Sequence, residues 1–236
     1  MRSRRRGWPA SGSADPSLRV ARHREVAGHR PFTVAPVTAA EQRFSVLLVC
    51  TGNICRSPVA ERLLLDRLPP AAPVVASSAG TRGPDGWPID GPSALALREM
   101  GVDPDGHHAR RVTPGMVADT DLVLTAESSH RSTILRAEPL HFRRVFTLLE
   151  FGRLGTGFGP LDTVNVESLR ERVAQVADRR GDADAGHPPE ANGTDEIGDP
   201  YGARIEVARA CAQRIAVGVD AVLDALGLRT ALRRAE

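Results

Sequence analysis

The feature that most constrains this chain of 236 residues is an apolar run of strand length that leads through a small loop into a helix start. Residues 44–49 are nearly all apolar, which is typical of a buried strand in a parallel sheet. The loop 50–56 follows, and Ser57 and Pro58 then suit the N-cap and first position of a helix. A strand–loop–helix of this kind directs backbone N–H groups toward a helix N-terminus, so it predicts an anion-binding site.

The rest of the chain alternates short apolar runs with helical patterns. Further strands are predicted at 73–77, 121–125 and 143–148, and helices at 57–68, 93–100, 127–137 and about 203–228. This alternation predicts an α/β fold of three layers, in which a four-stranded parallel sheet is flanked by helices with right-handed crossovers. One stretch, 152–198, fits poorly. We expect a Gly-rich loop at 152–160, a polar amphipathic helix at 166–180 and a mobile loop at 181–198.

The formal net charge of +2 hides an uneven distribution. Residues 1–43 carry nine arginines and three acidic residues, whereas 44–236 carry 22 arginines and 26 acidic residues. The basic arm lacks the apolar region of a secretory signal and has no regular period, so we expect a disordered extension at 1–43. We expect one folded domain at 44–228 and a tail at 229–236. No apolar run reaches membrane-spanning length, and the small net charge argues against a dedicated nucleic-acid binder.

The chain has three cysteines, Cys50, Cys55 and Cys211. This low, odd number does not indicate a disulfide framework and favours a reducing, cytoplasmic location. No group of Cys and His has the spacing of metal ligands, so no metal site is expected. Cys211 lies in the predicted final helix, where an unreactive core residue is expected.

The loop itself predicts nucleophilic chemistry. Cys50 stands at its mouth, where the helix dipole, the inward N–H groups and Arg56 all favour the reactive thiolate. Arg56 offers a planar fork that matches two phosphoryl oxygens, and Gly52 and Asn53 tolerate unusual backbone conformations. Ser57 can donate a hydrogen bond to the Cys50 sulfur and help it leave again. Cys50 is therefore a candidate nucleophile for attack on phosphorus.

The segment Cys-Thr-Gly-Asn-Ile-Cys-Arg-Ser-Pro at 50–58 resembles the phosphate-binding loop of the low-molecular-weight protein tyrosine phosphatases of bacterial type, C-x5-R-[S/T]. Asp199-Pro200-Tyr201 resembles the Asp-Pro-Tyr motif of the same family. The resemblance implies the phosphotyrosine phosphatase I-like fold with flavodoxin-like winding. It also implies hydrolysis of phosphotyrosine in proteins through a cysteinyl-phosphate intermediate, without a cofactor. Asp199 would then be the general acid.

The resemblance also implies roles for neighbouring residues. Ser78 and His107 would brace the loop together with Asn53 and Ser57, and Tyr201 would form a wall of the substrate cleft. Cys50 and Cys55 would form a reversible protective disulfide. The remaining phosphate-loop residues would be Thr51, Gly52, Ile54 and Cys55 itself.

Three other functions share this scaffold or its loop. A protein arginine phosphatase is the main alternative, although Ile54 and Tyr201 replace the Thr and Phe typical of that group and favour an aromatic substrate. A thioredoxin-coupled arsenate reductase needs two further cysteines downstream of the loop, and here only Cys211 is present. A non-catalytic phosphate-binding module predicts the loss of Cys50 or Asp199, and both are present.

The resemblance further implies partners. Phosphotyrosine proteins would be the substrates, and a bacterial tyrosine kinase is a candidate partner. We expect a monomer that binds no nucleic acid.

Overall fold

The computed structural model describes residues 43–181 and 195–229. The disordered extension expected at 1–43 and the tail expected at 229–236 lie outside the described residues except for one residue each. Of the mobile loop expected at 181–198, residues 182–194 also lie outside them.

The described residues alternate strands and helices through most of their length. The strands are β1 (Phe44–Cys50), β2 (Val74–Gly80), β3 (Leu122–Thr125) and β4 (Val145–Thr147). The helices are α1 (Arg56–Arg67), α2 (Gly91–Glu99), α3 (Pro114–Ala118), α4 (Ser128–Ala137), α5 (Leu148–Leu154), α6 (Val166–Asp178) and α7 (Ile205–Ala225). Two short 3-10 helices are Pro139–Arg144 and Arg179–Gly181.

These strands form one parallel sheet in the order β2-β1-β3-β4, which confirms the predicted fold class. The chain leaves β1 for β2 on one side and later returns to β3 on the other side. The carboxyl end of β1 is therefore the topological switch point, where ligands bind in open α/β sheets. Cys50, the last residue of β1, lies at this point.

Side chains of β1 alternate between two apolar cores, as the pleat of a strand requires. Val46 and Leu48 pack in the larger core, with α1, α2, α5, α6 and α7. Leu47 and Val49 pack in the smaller core, with residues of α3 and α4. Because both faces of the sheet are covered, the first strand is apolar at nearly every position.

The start of α1 differs from the sequence prediction. Cys55 is the N-cap and the helix begins at Arg56, so the prediction of Ser57 as the N-cap was wrong. The Ser57 hydroxyl is instead occupied inside the loop, where it contacts Cys50 and Asn53.

The region after β4 also differs from the prediction. The fourth strand ends at Thr147, and α5 covers Leu148–Leu154. The prediction of a Gly-rich loop at 152–160 was therefore wrong for residues 152–154, which are helical. Thr147 and Glu150 form a capping box, in which each side chain accepts a hydrogen bond from the other's backbone N–H. The short helix α3 was not predicted, whereas the amphipathic helix at 166–180 is confirmed as α6.

Searched for membrane spans, the described part of the chain contains no helix that combines the necessary length and apolar character.

Gly152 permits the close packing of α5 on α7. A Cβ atom at this position would lie 2.6 Å from the Cβ of Ala221. Although alanine is the better helix former, we expect Gly152→Ala to lower the free energy of unfolding by about 1–3 kcal/mol, because the packed helices must separate. Urea denaturation measures this change.

Gly91→Ala is the matched control for this prediction. Gly91 begins α2, and a Cβ atom there would meet nothing within 4 Å. An equal loss in both variants would contradict the packing explanation.

Candidate active site

The loop between β1 and α1 rests directly on the backbone at the end of β2 and just beyond it. A Cβ atom on Gly80 would lie 2.6 Å from the Thr51 carbonyl oxygen, and one on Gly83 would lie 2.4 Å from the Gly52 carbonyl oxygen. Asn53 has a positive φ of 57°, whereas Gly52 is not among the described residues with positive φ. The unusual conformation therefore belongs to Asn53, and the close approach requires Gly80 and Gly83.

Asn53 is fully buried and uses its side chain and its backbone to hold the loop. Its Nδ2 donates to the hydroxyls of Ser57 (2.9 Å) and Ser78 (2.8 Å), and its Oδ1 accepts from the Arg110 backbone N–H (2.9 Å). Its carbonyl oxygen lies 2.7 Å from His107 Nε2. Since a carbonyl can only accept, His107 must be protonated at Nε2. Asn53, Ser57, Ser78 and His107 are the four residues that, by the resemblance, would hold the loop. The structure brings them together.

Polar hydrogen atoms converge on the sulfur of Cys50, which is itself buried. The backbone N–H of Asn53 donates to Sγ at 3.3 Å, and the Ser57 hydroxyl lies 3.1 Å from it. Ser57 Oγ can alternatively donate to the Ala79 carbonyl at 3.4 Å. A thiolate can only accept hydrogen bonds, so in that state the Ser57 hydroxyl donates to Cys50.

The Arg56 guanidinium is almost completely buried and joins three parts of the chain. One terminal nitrogen donates to Glu127 Oε1 (2.6 Å) and to the Ile197 carbonyl (3.0 Å). The other donates to Thr51 Oγ1 (3.1 Å) and Asp199 Oδ2 (2.9 Å). Its Nε is buried and has no hydrogen-bond partner in the described chain. Arg56 therefore holds the Asp-Pro-Tyr segment against the loop.

His130, from α4, extends this network. Its Nε2 lies 2.8 Å from Thr51 Oγ1, which also accepts from Arg56. Burial, with a further contribution from the Arg56 charge, lowers the pKa of His130 below its usual value of 6.5. The neutral imidazole is favoured because burial disfavours its charged form and because Arg56 already carries a positive charge beside it.

A cleft of about 370 Å³ opens above the loop. The exposed rings of Trp87 and Tyr201 line it, and the Ile54 side chain lies at its base in the loop. The other lining residues are Cys50, Thr51, Gly52, Cys55, Arg56, Arg82, Gly83, Pro84 and Asp199. Aromatic and apolar walls above a floor that carries the Cys50 thiol and the Arg56 guanidinium suit an aryl phosphate.

The other two cysteines are free thiols in the structure. Burial raises the pKa of both Cys55 and Cys211 to about 12, so neither is an activated nucleophile. Cys211 packs against the edge of the larger core and is only partly buried. The reversible Cys50–Cys55 disulfide stays a prediction. In the described part of the chain, no three His, Cys, Asp or Glu side chains are grouped to hold a metal ion.

Sequence reasoning missed Glu127, His130 and Trp87. Glu127 stands two residues after β3, which neighbours β1, and the carboxyl ends of adjacent parallel strands meet at one edge of a sheet. An acidic residue at that position was therefore a usable signal. Trp87 stands in a Gly- and Pro-rich segment, where nothing in the local pattern indicates its position beside Tyr201.

Fold and site together define a class of protein: a parallel α/β domain with a buried thiol in the loop between the first strand and the first helix, beside a buried guanidinium that holds a carboxyl group. The family model described as "Low molecular weight phosphotyrosine protein phosphatase" matches residues 45–156. The protein-tyrosine-phosphatase Ptp of Acinetobacter johnsonii is 32% identical over 104 residues, which cover 44% of this chain and 71% of that protein. This chain belongs to the low molecular weight protein-tyrosine-phosphatase family.

Other similarities support the same family and fold. Etp of Escherichia coli K12, also a low molecular weight protein-tyrosine-phosphatase, is 43% identical over 95 residues, or 40% of this chain and 62% of that protein. The chain thus spans less than two thirds of the length of this relative. The YwlE arginine phosphatase from Geobacillus stearothermophilus is 25% identical with a TM-score of 0.57, and the match covers 82% of this chain and 97% of that structure.

His107, which holds the loop through the Asn53 carbonyl oxygen, makes the stability of the fold depend on pH. Burial lowers the pKa of His107 below 6.5, so the unfolded chain takes up a proton more readily than the folded protein does. Neutral His107 makes its full contribution to the free energy of unfolding above a pH of about 6.5. This contribution is lost as the pH falls toward the pKa of His107 in the folded protein. We expect the free energy of unfolding to decrease below pH 6.5, and to decrease less steeply in His107→Gln, which keeps an N–H donor.

Denaturation at a series of pH values measures this dependence. The neighbouring His108 is exposed, so His108→Gln is the matched control and should keep the wild-type slope. A slope that His107→Gln leaves unchanged would show that another group is responsible.

Proposed function

We propose that this protein hydrolyses phosphotyrosine in proteins through a cysteinyl-phosphate intermediate. The observation that carries the proposal is the convergence of the Cys50 sulfur, the Arg56 guanidinium and the Asp199 carboxyl group on one cleft. Family membership supports the reaction, and the first curated relatives are named for it. Because the matched part spans less than two thirds of those relatives, the activity rests on the site itself.

In the first step, the Cys50 thiolate attacks phosphorus and the bond from phosphorus to the phenolic oxygen breaks. Asp199, as the carboxylic acid, donates its proton to that oxygen, so the leaving group departs as neutral phenol. The Arg56 guanidinium and the loop N–H groups stabilise negative charge on the other phosphoryl oxygens. Arg56 donates to Asp199 at 2.9 Å, so a phosphoryl group bound by Arg56 would compete with this carboxylate and release it toward the leaving group.

In the second step, water attacks the phosphorus of the cysteinyl phosphate and the S–P bond breaks. The Asp199 carboxylate takes the proton from water and is thereby restored as the acid. The departing Cys50 thiolate accepts hydrogen bonds from the Ser57 hydroxyl and the Asn53 N–H, whose positions beside Sγ support this role. Inorganic phosphate is the product, and no cofactor takes part.

Protein arginine phosphatase activity is the second candidate. The YwlE structures give it support, because their fold is the same. Two features of this cleft favour phosphotyrosine instead: Ile54 presents an apolar side chain where a hydroxyl would suit a guanidinium, and Trp87 and Tyr201 offer aromatic contacts.

We further propose a bacterial cytoplasmic protein whose catalytic domain covers 44–228, acting as a monomer on phosphoproteins, with a bacterial tyrosine kinase as a partner. The free cysteines and the bacterial sources of its relatives support this setting. All the proposed catalytic groups follow residue 43, so the basic arm is not required for the chemistry.

The roles of Cys50 and Asp199 predict distinct kinetic defects. We expect Cys50→Ser to abolish turnover of aryl phosphates, because serine is the poorer nucleophile. Asp199→Asn should lower kcat by about 10²–10⁴-fold for phenyl phosphate, and much less for p-nitrophenyl phosphate, whose leaving group needs no proton. Steady-state kinetics with both substrates measures these effects.

Cys211→Ser is the control for the loss of a thiol outside the loop and should keep wild-type kcat. Full turnover by Cys50→Ser, or an equal loss with both leaving groups in Asp199→Asn, would contradict the mechanism.

The substrate assignment predicts an effect of Ile54. Wild type should hydrolyse phosphotyrosine peptides in preference to phosphoarginine peptides. Ile54→Thr should shift the ratio of the two kcat/KM values toward phosphoarginine by about tenfold, because a hydroxyl replaces an apolar contact. Turnover of p-nitrophenyl phosphate by both proteins checks that the loop is intact. A wild-type preference for phosphoarginine would overturn the assignment while leaving the cysteine mechanism in place.

A further inference from the structure

A second cavity, of about 440 Å³, lies at the opposite edge of the sheet from Cys50. It is bounded by the 3-10 helix Pro139–Arg144 and by α6. Asp121, immediately before β3, and Arg144, immediately before β4, place it at the amino ends of the strands. Cys50 ends β1 at the carboxyl edge. The two cavities are therefore separate sites.

Three arginines line this basic cavity, and each is anchored through part of its guanidinium. Arg143 contacts Asp178 (2.6 Å), Arg144 donates to the Ala118 carbonyl (2.8 Å), and Arg170 donates from Nε to Asp121 (2.8 Å). Both terminal nitrogens of Arg170, and Nε and one terminal nitrogen of Arg143, make no hydrogen bond within the described chain. Anchored arginines with free donors are preorganised for carboxylates or phosphates.

Acidic groups nearby leave part of each guanidinium free. Asp121 is the acidic residue that lines the cavity, and its second oxygen accepts from the backbone N–H and hydroxyl of Ser45. Asp178 is paired with Arg143 alone. The ring nitrogens of His141 face Arg144, and Glu138 lies 3.6 Å from that ring. Among the residues that line the cavity, three arginines accompany the single carboxylate of Asp121. Asp178 and Glu138 balance the other two charges from outside the lining, so the cavity offers an anion the free N–H donors of Arg143 and Arg170 and no excess of charge.

Large apolar side chains accompany the arginines. Leu140 lines the cavity and is 90% exposed, and Phe142 on the same 3-10 helix is 52% exposed. Val173 and Ala174 of α6 add an apolar wall. Exposed apolar residues beside arginines are typical of protein-binding surfaces, whereas a site for a small anion needs no such residues.

We propose that the basic cavity binds an acidic segment of a partner protein. Carboxylates of that segment pair with Arg143 and Arg170, and an apolar side chain of the segment contacts Leu140. This proposal goes beyond the phosphatase function and does not depend on it, since none of these residues reaches the Cys50 loop.

Fluorescence anisotropy tests the proposal on the full-length protein. The probe is a fluorescein-labelled peptide of glutamates around a central pair of leucines, with a peptide of glutamines around the same leucines for comparison. Excess inorganic phosphate is present throughout one set of titrations, so that the Cys50 loop is occupied. We expect the glutamate peptide to bind with or without phosphate and the glutamine peptide not to bind.

The double variant Arg143→Glu/Arg170→Glu should weaken binding of the glutamate peptide at least about tenfold, because it reverses both charges and removes the free N–H donors. Arg98→Glu/Arg209→Glu is the matched control. These arginines are 54% and 48% exposed, against 49% and 47% for the cavity pair, and each also has an acidic partner. The control should bind like wild type, and all variants should hydrolyse p-nitrophenyl phosphate at the wild-type rate.

Three results would overturn the proposal. One is the absence of peptide binding by wild type, and another is equal binding by the cavity variant and wild type. The third is displacement of the peptide by inorganic phosphate, which would indicate a site for small anions or the Cys50 loop instead. If wild type does not hydrolyse p-nitrophenyl phosphate, that result contradicts the proposed phosphatase function and leaves the proposal for the basic cavity unaffected.

Discussion

The candidate site depends on one buried amide. Asn53 occupies a left-handed backbone position. Its side chain and both backbone polar groups bond to Cys50 and Ser57, to Ser78 in β2, and to His107 and Arg110 in the segment between α2 and α3. Leaving any of these buried groups without a partner costs about 1–3 kcal/mol. The loop conformation is therefore maintained by a network that reaches beyond the loop itself, and the N–H directed at the Cys50 sulfur belongs to the same residue.

Charge in the site is balanced locally. Arg56 is 2% exposed, and burying a guanidinium is costly unless carboxylates and carbonyls surround it. Glu127 and Asp199 provide these partners, from the end of β3 and from the segment before α7. One carboxylate is largely shielded and the other is nearly half-exposed, so the partners are unequal: Glu127 orients the arginine, and Asp199 is accessible from the cleft. The proposed phosphate site of this net-acidic body therefore depends on one guanidinium whose charge is balanced by two carboxylates.

The sheet separates two kinds of surface. Its carboxyl edge carries the loop, the cleft and Asp199, because the carboxyl end of β1 is the switch point of the winding. Its amino edge carries the basic cavity, where the starts of β3 and β4 meet α6. A partner segment bound at the amino edge would leave the cleft open, since the strands themselves lie between the two surfaces.

The sequence by itself determined the alternating α/β order, the parallel sheet and the loop with Cys50, Arg56 and Ser57. These features are local, because apolar runs, breakers and motif spacing act within a few residues of one another. It also contained the capping box at Thr147 and Glu150, which was overlooked. Only the tertiary structure placed Glu127, His130 and Trp87 beside the loop, and only it required glycine at 80 and 83. These contacts join residues that are far apart in the chain. They depend on the strand order and on close backbone packing, and neither can be predicted from a local sequence pattern.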